Sequence, residues 1–266
     1  MERINLIKKA LGMEREVIAF KFIPYKEEFD RSNSLVLNSS FADIVGKASL
    51  GNSYKMNLDT LTNDNDAYSL GLKQPSWEVL CGYDDYKLGK FSSYSIANSV
   101  AKARKYPNHL MYGAEIGPID SIESPDLIIF ICDAKTVMRI IQGYTRYYGV
   151  AKNLSITATD GMVVDLISKV FSYNDINYSL FNKQDRENGN YLPGEMGVSI
   201  PANMLDSVVR GVLETVNLTE NNKPKREILE RLDNPTELGF EIIMDYDYAI
   251  KASEYIDYCN KLEKKS

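Results

Sequence analysis

The stretch Ser124-Pro125-Asp126-Leu127-Ile128-Ile129-Phe130-Ile131-Cys132 constrains the fold more than any other. From Leu127 to Cys132 it is apolar without interruption and biased toward β-branched residues. It is short and bounded by turn signals, which favours a strand over a buried helix. A strand with two apolar faces is covered on both sides, as in sheets flanked by helices. Asp133 stands where it would cap a helix running to Tyr148, and Gly149 would end that helix.

Other segments alternate more cleanly. Arg3 to Leu11 carries Ile4, Leu6, Ile7, Ala10 and Leu11 at helical spacing. "EVIAFKFIP", Glu16 to Pro24, predicts a strand with Val17, Ala19 and Lys21 on one face and Ile18, Phe20 and Phe22 on the other. Ser40 would cap a helix over Phe41 to Leu50, closed by Gly51; "SYKMNL" then reads as a strand and "TNDNDA" as a loop. Trp77 to Gly89 is rich in turns, and Ser93 to Lys105 reads as a helix stopped by Pro107. Met111 to Ile119, "LSITAT", "DINYSLF" and "MGVSI" predict further strands, with helices near Gly161 to Val170 and Ala202 to Thr215. Beyond Asn221 the chain predicts helices at Lys225 to Leu232 and Tyr246 to Leu262, with "ELGFEIIM" as a strand between them.

This order places the chain in the α/β (mixed α+β) class, with mixed sheets flanked by helices. Residues 1–218 form one compact α/β domain and 219–266 a mainly helical C-terminal extension. A strand–helix–strand–polar-loop series occurs twice, once through "VIAFKF" and "SYKMNL" and once through "LIIFIC" and "INYSLF". Duplication into halves of about 1–90 and 91–218 and chance recurrence of common elements both fit.

Charge and rare residues narrow the function. The net charge is -6 and the pI about 5.1, a poor field for phosphate backbones, so a nucleic-acid partner is not expected. No apolar run reaches the ~18 residues of a membrane span, and the charged start "MERINLIKKALGMEREV" lacks a signal-peptide centre. The reading is a cytoplasmic protein with no membrane partner. Cys81, Cys132 and Cys259 lack metal-site spacing and His109 stands alone, so no metal site is expected. Rossmann, P-loop, zinc-protease and nucleophile-elbow motifs are absent. The cofactor is left unknown.

Three stretches carry a family likeness: "GYDDYKLGKF", "IGPIDSIESPDLIIFICDAKTVMRIIQGYTRYYG" and "DRENGNYLPGEMGVSIP". With them the chain resembles domain-of-unknown-function family 169 from "VIAFKF" to about Leu213. Asp185-Arg186, Glu195 and Pro201 match the family pattern. The resemblance implies a shared fold and brings no reaction with it. Members often carry cysteines near the first helix, the polar loop after it and the second-half helix. This chain has Ala42, Asn63 and Gly161-Met162 there.

The candidate site residues follow from local chemistry. The stretch Lys183 to Glu195 reads as a hairpin loop with Pro193-Gly194 as a defined turn. Within it Arg186 could grip a carboxylate or phosphate, with Asp185, Tyr191 and Glu195 beside it, or the loop could be a solvated surface hairpin. Glu195 could be a general base or an orienting partner for Arg186. Lys21, set among apolar neighbours, could be a base of lowered pKa or could lead its amine to water. Arg139 and Arg146, with Tyr144, Tyr147 and Tyr148, could wall an anion pocket or simply finish and pack a helix. Asp84 and Asp85 could hold a divalent ion but lack further ligands at motif spacing and read better as a tight turn; Cys132 reads as a buried small hydrophobe, and Cys81 lacks a histidine partner for a nucleophilic role.

The function expected is binding of an anionic small molecule or cofactor between the two halves, with Arg186 and Glu195 at the rim. One alternative is an enzyme with Lys21 or Glu195 as its base. The other is an assembly protein, a homo-oligomer built through the tyrosines and C-terminal helices.

Overall fold

The computed structural model describes residues 2–107, 110–215 and 230–231. These build one mixed sheet of seven strands: β1 (Ile18–Ile23), β2 (Leu35–Val36), β3 (Tyr54–Asn57), β4 (Gly113–Pro118), β5 (Leu127–Asp133), β6 (Asn177–Ser179) and β7 (Glu195–Pro201). The order across the sheet is β2-β3-β4-β1-β5-β7-β6. Every pairing is antiparallel except β2 with β3.

Leaving aside β2, an extra edge strand beyond β3, that order is symmetric about the β1–β5 pair. On one side β4 separates β1 from β3; on the other β7 separates β5 from β6. Without β2, each half lays its first strand at the centre, its next outside and its last between. The likeness extends to single bonds. β4 ends at Pro118 and β7 at Pro201, and each runs into a 3-10 turn, Ile119–Ser121 or Ala202–Met204. The Ile119 N–H donates to the Val17 carbonyl just before β1, and the Ala202 N–H to the Asp126 carbonyl just before β5, both at 2.9 Å. By strand order the two series meet after β4, at about residues 119–126.

The two faces of β1 and β5 are covered as their side chains dictate. Ile18, Phe20 and Phe22 pack with Ile129 and Ile131 under the Phe41–Ala48 helix and the helical segment 162–173. Val17, Ala19, Ile128 and Phe130 face the Ala134–Tyr148 helix, and the Leu205–Glu214 helix lies against that helix. On this second face Lys21 stands in register with Glu115, where β5 and β7 place Phe130 and Val198. The first half has only the short Lys26–Arg31 helix where the second has Ala134–Tyr148. The polar pair suits the thinner cover.

Several caps stand where the sequence predicts them. Ser40, Ser93 and Asp133 accept from the N–H groups of Asp43, Ile96 and Thr136, each the third residue of its helix. Four expectations are corrected. "TNDNDA" is not a loop: Asn63 caps a helix, Asp64–Ser69. Trp77 to Gly89 holds two short helices, Trp77–Cys81 and Tyr83–Lys87, hinged at Gly82 with φ +76. Lys183 to Glu195 is not a hairpin: Asn182 caps the Lys183–Gly189 helix, and only Asn190 to Gly194 turns into β7.

"LSITAT" is not a strand, because side chains take the backbone groups a ladder would use. The Asn177 amide accepts from the Ser155 N–H and donates back to its carbonyl, at 3.0 and 3.1 Å. The buried Lys169 ammonium donates to that same carbonyl at 2.9 Å while pairing with Asp165 at 3.0 Å. His109 and the C-terminal predictions, apart from 230–231, lie outside the described residues.

Candidate functional site

The two helices that follow β3 and β6 begin alike. Asn63 opens Asp64–Ser69, its side chain accepting from the Asn65 N–H at 2.9 Å. Asn182 opens Lys183–Gly189, accepting from the Asp185 N–H at 2.8 Å. Three residues after each asparagine stands an aspartate. Asp66 turns back to accept from the Phe41 N–H at 3.0 Å, and Asp185 accepts from the Met162 N–H at 2.7 Å. Each carboxylate thus satisfies a backbone donor at the start of the preceding helix of its own half.

These four helical segments surround a cavity of about 130 Å³ between the halves. Ser40, Asn63, Asp66 and Ser69 line it from the first half, Asp160 and Asp185 from the second. The Asn188 amide donates to the Ser40 hydroxyl at 3.2 Å and joins the two sides. A cavity of ~150 Å³ is large enough to hold benzene, so this one has room for one small molecule or several waters.

A further wall comes from residues 77–106, a helical insertion with no counterpart between Gly189 and β7. It contributes Asp85, Lys90 and Arg104. Arg104 reaches Asp85 at 2.6 Å and Asp160 at 2.5 Å, and Lys90 reaches Asp85 at 2.6 Å. Burial pushes the Asp85 carboxyl up, but Lys90 and Arg104 together hold it below its usual value. Arg104 is held further in its charged form: burial opposes this, and Asp160 and Asp85 outweigh it.

Asp66 and Asp185 differ from that cluster. No lysine or arginine among the described residues forms an ion pair with either. Burial raises Asp66 to about 6, against the pull of the Phe41 amide. Burial also raises Asp185 to about 6, and the neighbouring Asp66 charge adds to it. Among the described residues, the Oδ2 of Asp160 and the hydroxyl of Ser69, in residues only 6% and 1% exposed, also lack hydrogen-bond partners; the Oδ2 of Asp85 has none either but is held by its ion pair with Arg104. The carboxylates do not converge as metal ligands; among the described residues no group of three such side chains does. The arrangement offers hydrogen-bond acceptors and uncompensated negative charge to something small.

Of the site residues predicted from sequence, only Asp185 lines this cavity. Arg186 is engaged within the fold. Its guanidinium donates to the carbonyls of Leu180, Leu192, Pro193 and Glu195, at 2.6 to 3.4 Å. Glu195 does not orient Arg186. Its carboxylate takes both arms of Arg15, at 2.5 and 2.8 Å, and accepts from the Leu192 N–H at 2.7 Å. Tyr191 is buried, stacks on Phe181 and donates to the Ala42 carbonyl at 2.9 Å.

Arg146 pairs with Glu214 at 3.3 Å, and the Tyr147 hydroxyl donates to the same carboxylate. Lys21 lies in an open polar groove beside Glu28 and Glu115, away from the cavity. The hydrogen bond to Glu28, 2.8 Å away, raises its pKa, opposite to what a lysine base needs. Cys132 is buried and its thiol is pushed up, as expected of a small core residue.

Sequence alone passes over Asp66, Asp160 and Arg104 and takes Asp85 for a turn. A signal for the first was present: Asn-x-x-Asp occurs at Asn63–Asp66 and at Asn182–Asp185, at matching places in the two halves. Two of the places where the family likeness expects cysteine, Asn63 and Gly161, also fall on the cavity wall.

A family model matches residues 6–211: domain-of-unknown-function family 169, described as uncharacterised ArCR. The chain belongs to that family. No curated protein and no solved structure matches it.

Proposed function

We propose that this member of family 169 binds a small polar molecule in the cavity between its two halves. The observation that carries the reading is a buried wall with unanswered polar groups. Among the described residues, Asp160 Oδ2 and the Ser69 hydroxyl have no hydrogen-bond partner, and Asp66 and Asp185 have no counter-ion. Buried polar groups are nearly always satisfied, and each one left alone costs about 1–3 kcal/mol. A bound molecule would supply what the chain does not. The expectation of an anionic ligand rested on Arg186 and Arg146, and both are engaged elsewhere.

A second reading has its own support. Two carboxyls of one cavity raised to about 6 are suited to general acid–base chemistry near neutral pH. Binding is common to both readings and is tested first. Native mass spectrometry of protein purified from its own host should show a retained small molecule. Asp160→Ala should lose it while keeping the wild-type circular dichroism spectrum. Protein that is isolated empty, with a melting temperature unmoved by any of a panel of small polar metabolites, would overturn the proposal.

A further inference from the structure

We infer that the occupant of this cavity is an organic cation, a small ammonium or guanidinium compound, seated between Asp66 and Asp185. The inference rests on the cavity being a binding site and names the class of its ligand. Six ionisable side chains that carry charge line the wall: Asp66, Asp85, Asp160 and Asp185 against Lys90 and Arg104. Both cations are already committed. Lys90 is held on Asp85, and Arg104 bridges Asp85 and Asp160. The charge balance of the wall is therefore negative, and the deficit falls on Asp66 and Asp185, which are held by backbone amides alone.

A buried carboxylate without a counter-ion is costly, and an opposite charge beside it is the strongest remedy. An anion would face the same carboxylates and would find Arg104 occupied. A neutral molecule could satisfy Ser69 and Asp160 Oδ2 and would leave the charge uncompensated. The pairing of Asp66 and Asp185 across the pseudo-symmetric halves suits a head with several N–H donors. Ammonium and guanidinium both have them. Tyr106 also lines the wall, with its hydroxyl proton held above the usual phenol range by burial, so it stays neutral. Behind the wall, Asp165 and Lys169 neutralise each other.

The test is a set of titrations followed by the backbone amide resonances of Phe41 and Met162, with probes of similar size. Methylguanidinium and n-propylammonium are the cations, N-methylurea the neutral probe and propionate the anion. At about pH 7.5 the cations should shift both amides saturably, at roughly tenfold lower Kd than N-methylurea. Propionate should not shift them. Asp185→Asn and Asp66→Asn keep the acceptor for the helix amide and should each remove that cation preference, so that the cations bind the variant no more tightly than N-methylurea binds the same variant.

Wild-type protein supplies the same comparison without substitution. Lowering the pH to about 5 protonates both carboxyls and should weaken cation binding alone. N-methylurea or propionate binding as tightly as the cations would overturn the cation assignment and leave the binding site standing. Failure of every probe to move these amides would overturn both.

Discussion

Asp66 carries a consequence for stability that separates a binding group from a merely structural one. Its carboxyl is raised to about 6 when folded, above the ordinary value of 3.8. Between those values the folded protein holds a proton that the unfolded chain has released. Stability therefore falls as the pH rises through about 4 to 6. Above that window the ionised form is a burden of about 1–3 kcal/mol. Asp66→Asn keeps an acceptor for the Phe41 N–H and removes the charge. Urea denaturation at pH 7.5 should show the variant more stable than wild type by about 1–3 kcal/mol, with a flatter pH dependence below 6. A loss of stability would mean that the charge itself supports the fold. Arg186 predicts the opposite. It ties four carbonyls around the entry to β7. Lysine cannot reproduce that planar fork. Arg186→Lys should lower stability by about 1–3 kcal/mol, with the Kd for a cavity ligand unchanged. A changed Kd at unchanged stability would restore it as a site residue.

The elements show where local chemistry was legible and where it was not. Ser40, Ser93 and Asp133 could be read because a cap is decided within a few residues. The continuous run of β5 could be read because burial on both faces leaves no polar position from Leu127 to Cys132. "LSITAT" misled because its partners, Asn177 and Lys169, lie far along the chain and exist only once the segment 162–173 has folded. Lys183–Gly189 was hidden because its polar residues resemble a loop, although Asn182 and Asp185 already spelled the cap. What no local pattern could reveal is how this helix meets Phe41–Ala48. The two cross where a Cβ on Gly46 would fall on the Gly189 carbonyl, and one on Gly189 would fall on the Tyr191 ring. Backbone approaches backbone here, and the contact joins the halves beside the cavity. Gly46→Ala should lower stability by about 1–3 kcal/mol through overpacking. It should also move the Asn188 and Ser40 resonances, because the Asn188–Ser40 bond depends on the same crossing. A neutral substitution would mean that the helices can separate without loss.

At the scale of the whole molecule, duplication and cooperativity pull in different directions. Two halves of like topology suggest units that could stand alone, as a strand–helix–strand recurrence in the sequence also implies. The contacts argue otherwise. β1 is central, paired with β4 of its own half on one edge and with β5 of the other half on the second. The core under Phe41–Ala48 mixes Phe20, Met56 and Ile116 with Ile129, Leu166 and Phe181, so neither half owns it. Separation would expose the paired apolar edges of β1 and β5 and open the cavity wall, both unfavourable in water. The protein should therefore unfold in one step. Trp77 is the single tryptophan and stands in the first-half insertion, so its fluorescence reports that half. Far-ultraviolet circular dichroism reports both halves. The two urea transitions should coincide in midpoint and slope, and a fragment of residues 1–121 should show no cooperative transition of its own. If the fluorescence transition came first and the fragment folded, the halves would be independent domains. The cavity would then be an interface free to open, and Asp66 and Asp185 would meet their ligand by closure of the two halves around it.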